Sequence, residues 1–195
     1  MTFGRVVRAV IKPFYKLLYP IKIEGMENFD KDIPFVLCAN HRSNWDAVAL
    51  FVACPRQLYF MAKEELFRNK LLGWILKKVG AFPVKRNQSD LAAIKTAVGT
   101  LKKGNILGIF PQGTRTDDVE DDAAKAGAIV IANMAQAPIL PAAIISDYKL
   151  FHKTTIRFGK MYYFNEERKK LTNEERQALA CELMGEIRKL WEEEK

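Results

Sequence analysis

The feature that most constrains this chain is an alternation along its whole length. Short apolar runs rich in β-branched residues take turns with longer stretches whose apolar residues recur every three or four positions. The first pattern predicts strands over 21–24, 34–38, 58–61, 81–84, 106–110, 139–144 and 155–158. The second predicts helices over 45–53, 70–79, 89–103 and 123–135. In the 89–103 stretch Leu91, Ile94, Val98 and Leu101 form one stripe that ends before Gly104. A last helix starts near Thr172, where Thr172 and Glu175 stand at capping-box spacing, and its inner stripe is Leu179, Leu183, Ile187 and Leu190. Strands that alternate with helices in this way make an α/β domain: a central, mixed or mostly parallel sheet flanked by helices.

The 195 residues fit one domain, with neither an internal repeat nor a low-complexity linker. Cys38, Cys54 and Cys181 lie far apart, without disulfide-framework or zinc spacing, which suits a reducing compartment. The net charge of +8 favours polyanionic partners: anionic lipid, phosphorylated metabolites, an acidic carrier protein or nucleic acid. The longest charge-free stretch, residues 126–146, contains Pro138 and Pro141 and reads as a buried helix followed by a buried strand rather than a membrane span.

The first twenty residues are periodic in a different way. At about 100° per residue, Arg5, Arg8, Lys12 and Lys16 share one helical face, and Phe3, Val7, Val10, Phe14, Leu17 and Leu18 gather opposite. Pro13 is expected to kink or split this helix. Lys12 and Lys16 interrupt any signal-peptide core. Basic and apolar faces together suit a helix lying on anionic lipid, although an ordinary amphipathic helix packed on a core has the same pattern.

Three segments carry polar residues where α/β sheets keep their sites, at the carboxyl ends of strands. In Ala39-Asn40-His41-Arg42-Ser43-Asn44-Trp45-Asp46, a loop histidine is followed by a carboxylate in the first turn of a helix. Asp46 can then reach back to one ring nitrogen, fix the tautomer and stabilise the imidazolium. With only Ser43 nearby as a third member, a substrate hydroxyl is the natural partner for such a base. A structural reading stands beside this one, in which His41 closes a loop and Asp46 favours a helix N-terminus. No Glu-x-x-His motif accompanies His152, so no metal site is expected. The second segment, Phe110-Pro111-Gln112-Gly113-Thr114-Arg115, offers a close-approach glycine, a hydroxyl and a guanidinium suited to phosphate. The third, Gly80 to Arg86, includes Phe82 and likewise ends a strand in basic residues.

Taken together, these segments resemble the 1-acylglycerol-3-phosphate acyltransferase family of glycerolipid acyltransferases. The family's first motif, His and Asp separated by four residues, is matched by His41 and Asp46, with Asn40 in front. Phe82 to Arg86 matches its second motif, Phe110 to Arg115 its third, Phe-Pro-Glu-Gly-Thr-Arg, and Ile139-Leu140-Pro141-Ala142 its proline-containing fourth. The departure is Gln112 in place of the family's Glu, which keeps an acceptor and loses a charge.

The resemblance implies an enzyme without a nucleophile of its own. His41, oriented by Asp46, takes the proton of the acceptor hydroxyl as it attacks a fatty acyl thioester. Phe82, Arg86, Gln112, Gly113, Thr114 and Arg115 form the acceptor site, and backbone N–H groups at the start of the Asp46 helix help to hold the oxyanion. No metal or bound cofactor is implied; acyl-CoA or acyl-carrier protein arrives as donor substrate. The acceptor is lysophosphatidic acid and the product phosphatidic acid, in phospholipid biosynthesis. Residues 1–20 are then a membrane-interface helix on residues 21–195, the acyltransferase α/β domain. The enzyme is expected to be peripheral, on the cytoplasmic face of the cell membrane, with an anionic surface as partner and no nucleic acid. Other acceptors, such as glycerol 3-phosphate or another lysolipid, remain alternatives, as does a non-catalytic protein that binds anionic membranes.

Overall fold

The computed structural model describes residues 3–85, 90–116, 119, 124–165 and 169–193, apart from the side chains of Phe3 and Arg5. Its elements follow in the order α1 (Phe3–Leu18), β1 (Ile21–Glu24), β2 (Val36–Ala39), α2 (Trp45–Ala53), β3 (Leu58–Lys63), α3 (Lys70–Val79) and β4 (Ala81–Val84). Then come α4 (Leu91–Lys102), β5 (Ile106–Ile109), α5 (Gly127–Ala135), β6 (Ile139–Ile145), β7 (Thr154–Phe158) and α6 (Asn173–Glu192). Local chemistry sets several of these boundaries. Asp90 caps α4 by accepting from the Ala93 N–H, α3 ends at Gly80 with φ 101°, and both halves of the Thr172–Glu175 capping box are present.

The seven strands form one sheet in the order β1-β7-β6-β2-β5-β3-β4, with every pair parallel except β6 and β7. The chain crosses one way from β2 to β3 and β4, then returns through β5 to β6 on the other side of β2. Right-handed crossovers therefore put α2 and α3 on one face and α4 and α5 on the other. The two faces have separate cores. Val36, Cys38, Leu107 and Ile109 pack among α4, α5 and α6; Leu37, Ala39, Ile106 and Leu140 pack under α2 with Tyr15 of α1 and Tyr19 just beyond it. Successive β2 residues thus serve opposite cores, the period of two expected for a central strand. The chain reverses direction between β2 and β5, and their carboxyl ends meet in a crevice there, the position at which doubly wound sheets bind ligands.

Helix α1 differs from expectation in two respects. It runs through Pro13 without splitting. Pro13 and Ala9 are both exposed, so the Ala9 carbonyl deprived of its helical partner can be hydrated. The helix also has three faces rather than two. Gly4, Ile11 and Tyr15 turn inward, and Arg8 goes with them: its guanidinium donates to the Cys54 and Arg56 carbonyls at 2.6 and 2.7 Å and lies over the Phe51 ring. Arg8 is therefore an internal anchor rather than a cation available to lipid. Lys12 and Lys16 stay exposed, as do Val10, Phe14 and Leu17. Among the described residues, no helix is long and apolar enough to cross a membrane.

Candidate active site

The carboxyl end of β2 is pinned before the chain leaves the sheet. Asn40, 1% exposed, donates to the Ile144 carbonyl at 3.0 Å and accepts from the Ile144 N–H at 2.7 Å, fixing β2 to β6. His41 follows, and its Nδ1 lies 2.9 Å from Asp46 Oδ2. Asp46 sits in the first turn of α2 and is 1% exposed. Its Oδ2 also accepts from the Arg42 and Ser43 N–H groups, both at 2.7 Å, and its Oδ1 accepts from the Tyr148 hydroxyl. A carboxylate surrounded by donors acts as acceptor toward His41, so Nδ1 carries the proton and Nε2 is left free to take one. A desolvated carboxylate so well supplied with hydrogen bonds satisfies the cost of its own burial.

Tyr148 was not legible in the sequence. It lies 102 residues from Asp46, on the loop after β6. Burial first, and then the adjacent Asp46 charge, push its hydroxyl far above the usual tyrosine range, so it stays protonated and donates. Its backbone is held at φ 52°, a costly conformation for a non-glycine residue. Tyr148 N–H donates to Ser146 Oγ at 3.1 Å, and Ser146 Oγ bonds Thr154 Oγ1 at 2.9 Å, tying the turn to β7. The Tyr148 ring packs edge-on against Tyr19, and Tyr15 and Tyr19 both contact Trp45. The end of α1 thus buttresses the group that holds Asp46.

The segment after β5 grips His41 from the other side. Gln112, 2% exposed, accepts from the His41 N–H at 2.8 Å and donates to Thr116 Oγ1 at 2.7 Å; Thr116 N–H donates to the His41 carbonyl at 2.9 Å. The imidazole stacks on Phe110, with centroids 4.0 Å and planes 12° apart, and Phe60 lies parallel beyond it. A Cβ on Gly108 would meet the Phe60 ring at 2.4 Å, so this position must be glycine for the stack to form. Gly113 makes the turn at φ 70°, with its N–H on the Phe110 carbonyl at 2.9 Å.

His41, Phe110 and Gly113 line a cavity of about 430 Å³ that opens between the ends of β4 and β5 and the N-termini of α4 and α5. Its wall is apolar at Met61, Ile94 and Ile131, cationic at Lys85 and Lys125, and anionic at Asp90, whose carboxylate is engaged by the Lys85 and Ala93 N–H groups. The first residues of α5, Gly127 and Ala128, also face it, so a helix N-terminus with its partial positive charge joins the two lysines. This volume and this mixture suit a small-molecule site. Among the described residues, no three His, Cys, Asp or Glu side chains are grouped to hold a metal ion.

The other anticipated site residues take varied positions. Gln112 faces the His41 loop from within. Thr114 and Arg115 are exposed on the turn beyond Gly113 and are not part of the cavity wall, and half-buried Phe82 packs against the core beneath α4 and α5. Arg86 lies outside the described residues. The N–H groups at the start of α2 are not free for an oxyanion: those of Arg42 and Ser43 are taken by Asp46, and those of Trp45 and Asp46 by Ser43. The carboxylate that orients His41 consumes the first two, and the Ser43 hydroxyl and carbonyl the others. Lys85 could have been suspected from its place beside Arg86, whereas nothing in the sequence marks Lys125 as a neighbour of His41.

Comparisons with known proteins bear on the fold and the family. A solved structure, the 1-acyl-sn-glycerophosphate (LPA) acyltransferase PlsC from Thermotoga maritima, superposes with a TM-score of 0.71 over 96% of this chain and 79% of that one; at 24% identity the likeness concerns the fold. A Bacillus subtilis protein named 1-acyl-sn-glycerol-3-phosphate acyltransferase is 44% identical over 134 residues, 68% of this chain and 66% of the relative. One of the same name from Streptococcus pneumoniae is 34% identical over 174 residues, 85% of this chain and 64% of the relative. The matches thus span a little under two thirds of these relatives' lengths. The family model described as Acyltransferase matches residues 20–145, a span that holds His41, Asp46 and the whole segment from Phe110 to Arg115, and the chain belongs to the Acyltransferase family.

Proposed function

We propose that the protein transfers a fatty acyl group from acyl-CoA or acyl-carrier protein to the free hydroxyl of 1-acylglycerol 3-phosphate, giving phosphatidic acid. The observation that carries this reading is His41, on the wall of a cavity with two lysines and a helix N-terminus, backed by the buried Asp46 carboxylate 2.9 Å behind its Nδ1. The relatives' names supply the acceptor.

In the proposed reaction, His41 Nε2 takes the hydroxyl proton as the oxygen attacks the thioester carbonyl. Asp46 keeps the imidazole in the tautomer that can do so and offsets the imidazolium charge. The C–O bond forms, the tetrahedral intermediate collapses, the C–S bond breaks, and the proton on Nε2 passes to the leaving thiolate. Lys85, Lys125 and the α5 N-terminus attract the acceptor phosphate, with the exposed Arg115 beyond Gly113 as a further cation. Because both lipids have long chains, the enzyme works as a peripheral protein on the cytoplasmic membrane face, with Lys12, Lys16 and the exposed apolar residues of α1 toward an anionic surface.

The test is product analysis with defined thioester donors and lysophosphatidic acid in vesicles, beside an acceptor panel that includes glycerol 3-phosphate. His41→Ala is expected to lower turnover by about 10²- to 10⁴-fold in a folded protein. Near-normal kcat in that variant removes the mechanism, and vesicle binding without any turnover by the parent protein favours a non-catalytic role.

A further inference from the structure

Helix α3 is oriented the wrong way round for the surface of a domain surrounded by water. Its one buried residue is Gly73, which lies so close to the Phe67 backbone that an added Cβ would meet the Phe67 carbonyl oxygen at 2.9 Å. The helix docks through its glycine and turns its large apolar side chains outward: Leu71 is 70% exposed, Trp74 50% and Ile75 37%. A soluble amphipathic helix does the reverse, and contiguous exposed apolar surface of this kind marks an interaction face. Helix α1 is built alike. It docks at Gly4, where a Cβ would meet Gln57 Oε1 at 2.4 Å, and exposes Phe14 at 66% and Leu17 at 68%. The same Gln57 donates to the Val79 carbonyl at the end of α3 at 2.7 Å, so the start of α1 adjoins the end of α3.

We propose that α1 and α3 form one composite surface that seats the protein on an anionic bilayer, with Leu71, Trp74 and Ile75 entering the headgroup region beside Phe14 and Leu17. This rests on the proposed reading of an enzyme that meets its acceptor at a membrane. Charge selects the occupant. Neither helix contains an acidic residue, while Lys12, Lys16, Lys70, Lys77 and Lys78 are all exposed on them. The Lys78 ammonium lies 5.9 Å from the Trp74 ring centre, so the aromatic body and its cation share one outward face, an arrangement suited to the lipid–water boundary. Two copies of so basic a face repel each other, whereas anionic headgroups complement it.

The experiment uses the full chain with vesicles of phosphatidylcholine and phosphatidylglycerol, some carrying brominated acyl chains. Brominated lipid should quench a component of the tryptophan emission that is missing in Trp74→Phe. Leu71→Ser with Ile75→Ser should weaken vesicle partitioning by at least about tenfold, because both apolar groups lose their burial. Turnover of a dispersed short-chain acceptor should stay unchanged, and the thermal midpoint should fall only modestly, through the covered part of Ile75 and the lower helix propensity of serine. If the parent binds vesicles, Phe14→Ser with Leu17→Ser abolishes binding, and the α3 variants bind normally without Trp74 quenching, then α1 acts alone: this inference falls and the membrane reading stands. If the parent fails to bind vesicles, both fall. If the α3 variants instead convert a dimer into monomers, the face belongs to a second copy and the inference is overturned.

Discussion

Replacing Tyr148 by Phe separates what holds Asp46 from what does chemistry. The change deletes one hydroxyl, which donates to Oδ1 of a carboxylate that is 1% exposed. A hydrogen bond to a buried charged group contributes about 1.5–3 kcal/mol. The carboxylate is present both when His41 is neutral and when it has accepted a proton, so most of this loss is common to ground state and transition state. It should appear as instability: at 2–4 °C per kcal/mol for a domain of this size, the midpoint should fall by about 3–12 °C. Oδ2 keeps the two N–H groups that orient it toward His41, so kcat should fall by no more than about tenfold. Asp46→Asn keeps the shape and removes the charge, and should cost on the order of 10⁴-fold in kcat, as wrong-tautomer substitutions in triads do. Thermal unfolding and steady-state kinetics on the two variants decide the matter. An unchanged midpoint in Tyr148→Phe would show that the bond contributes nothing. A kcat as low as that of Asp46→Asn would give Tyr148 a role in the chemistry.

Gln112→Glu keeps the oxygen that accepts from the His41 N–H, and the Thr116 hydroxyl can turn to donate; kcat/KM should change by less than about tenfold, and a large gain would mean the position works through its charge. Arg115→Ala should raise KM for phosphorylated acceptors while leaving kcat nearly intact, with Arg115→Lys rescuing in part; discrimination between phosphorylated and unphosphorylated acceptors equal to the parent's would remove Arg115 from the acceptor path. The two outer faces of α1 separate cleanly from its docked one: Phe14→Ser, at an exposed position, should leave the midpoint unchanged, whereas Tyr15→Ser, at 3% exposure, should destabilise by about 3–5 kcal/mol, and equal effects in calorimetry would contradict the docking described above.

Much of the fold was legible because its causes are local. The strand segments and the helices over 45–53 and 70–79 follow from periodicity and from breakers such as Gly80 and Gly104, whose effects are felt within a few residues. The approach of His41 to Asp46 is local too, since a loop residue and a first-turn carboxylate five positions on have few ways to avoid each other. Periodicity also found the amphipathic character of α1 and misassigned Arg8, because it reports that a helix has faces without saying which face meets the protein. With apolar residues on two stripes of α1, only the shape of the receiving surface decides: a groove floored by Gln57 admits Gly4, and the Cys54 and Arg56 carbonyls require the Arg8 guanidinium.

The groups that complete the site come from far along the chain, and here the sequence is silent for a physical reason. Gln112 reaches His41 across 71 residues and Tyr148 reaches Asp46 across 102, contacts that exist only because β5 and β6 flank β2. That strand order is set by which apolar faces pack together once the whole sheet forms, a non-local energy that no single segment contains. The amino-acid sequence by itself determined the elements, the His–Asp pair and the basic ends of two strands. Tertiary packing alone decided that a tyrosine closes over the aspartate, that Lys125 rather than Arg115 lines the cavity, and that α1 and α3 turn their glycines inward while Phe14, Leu17, Leu71 and Trp74 face out.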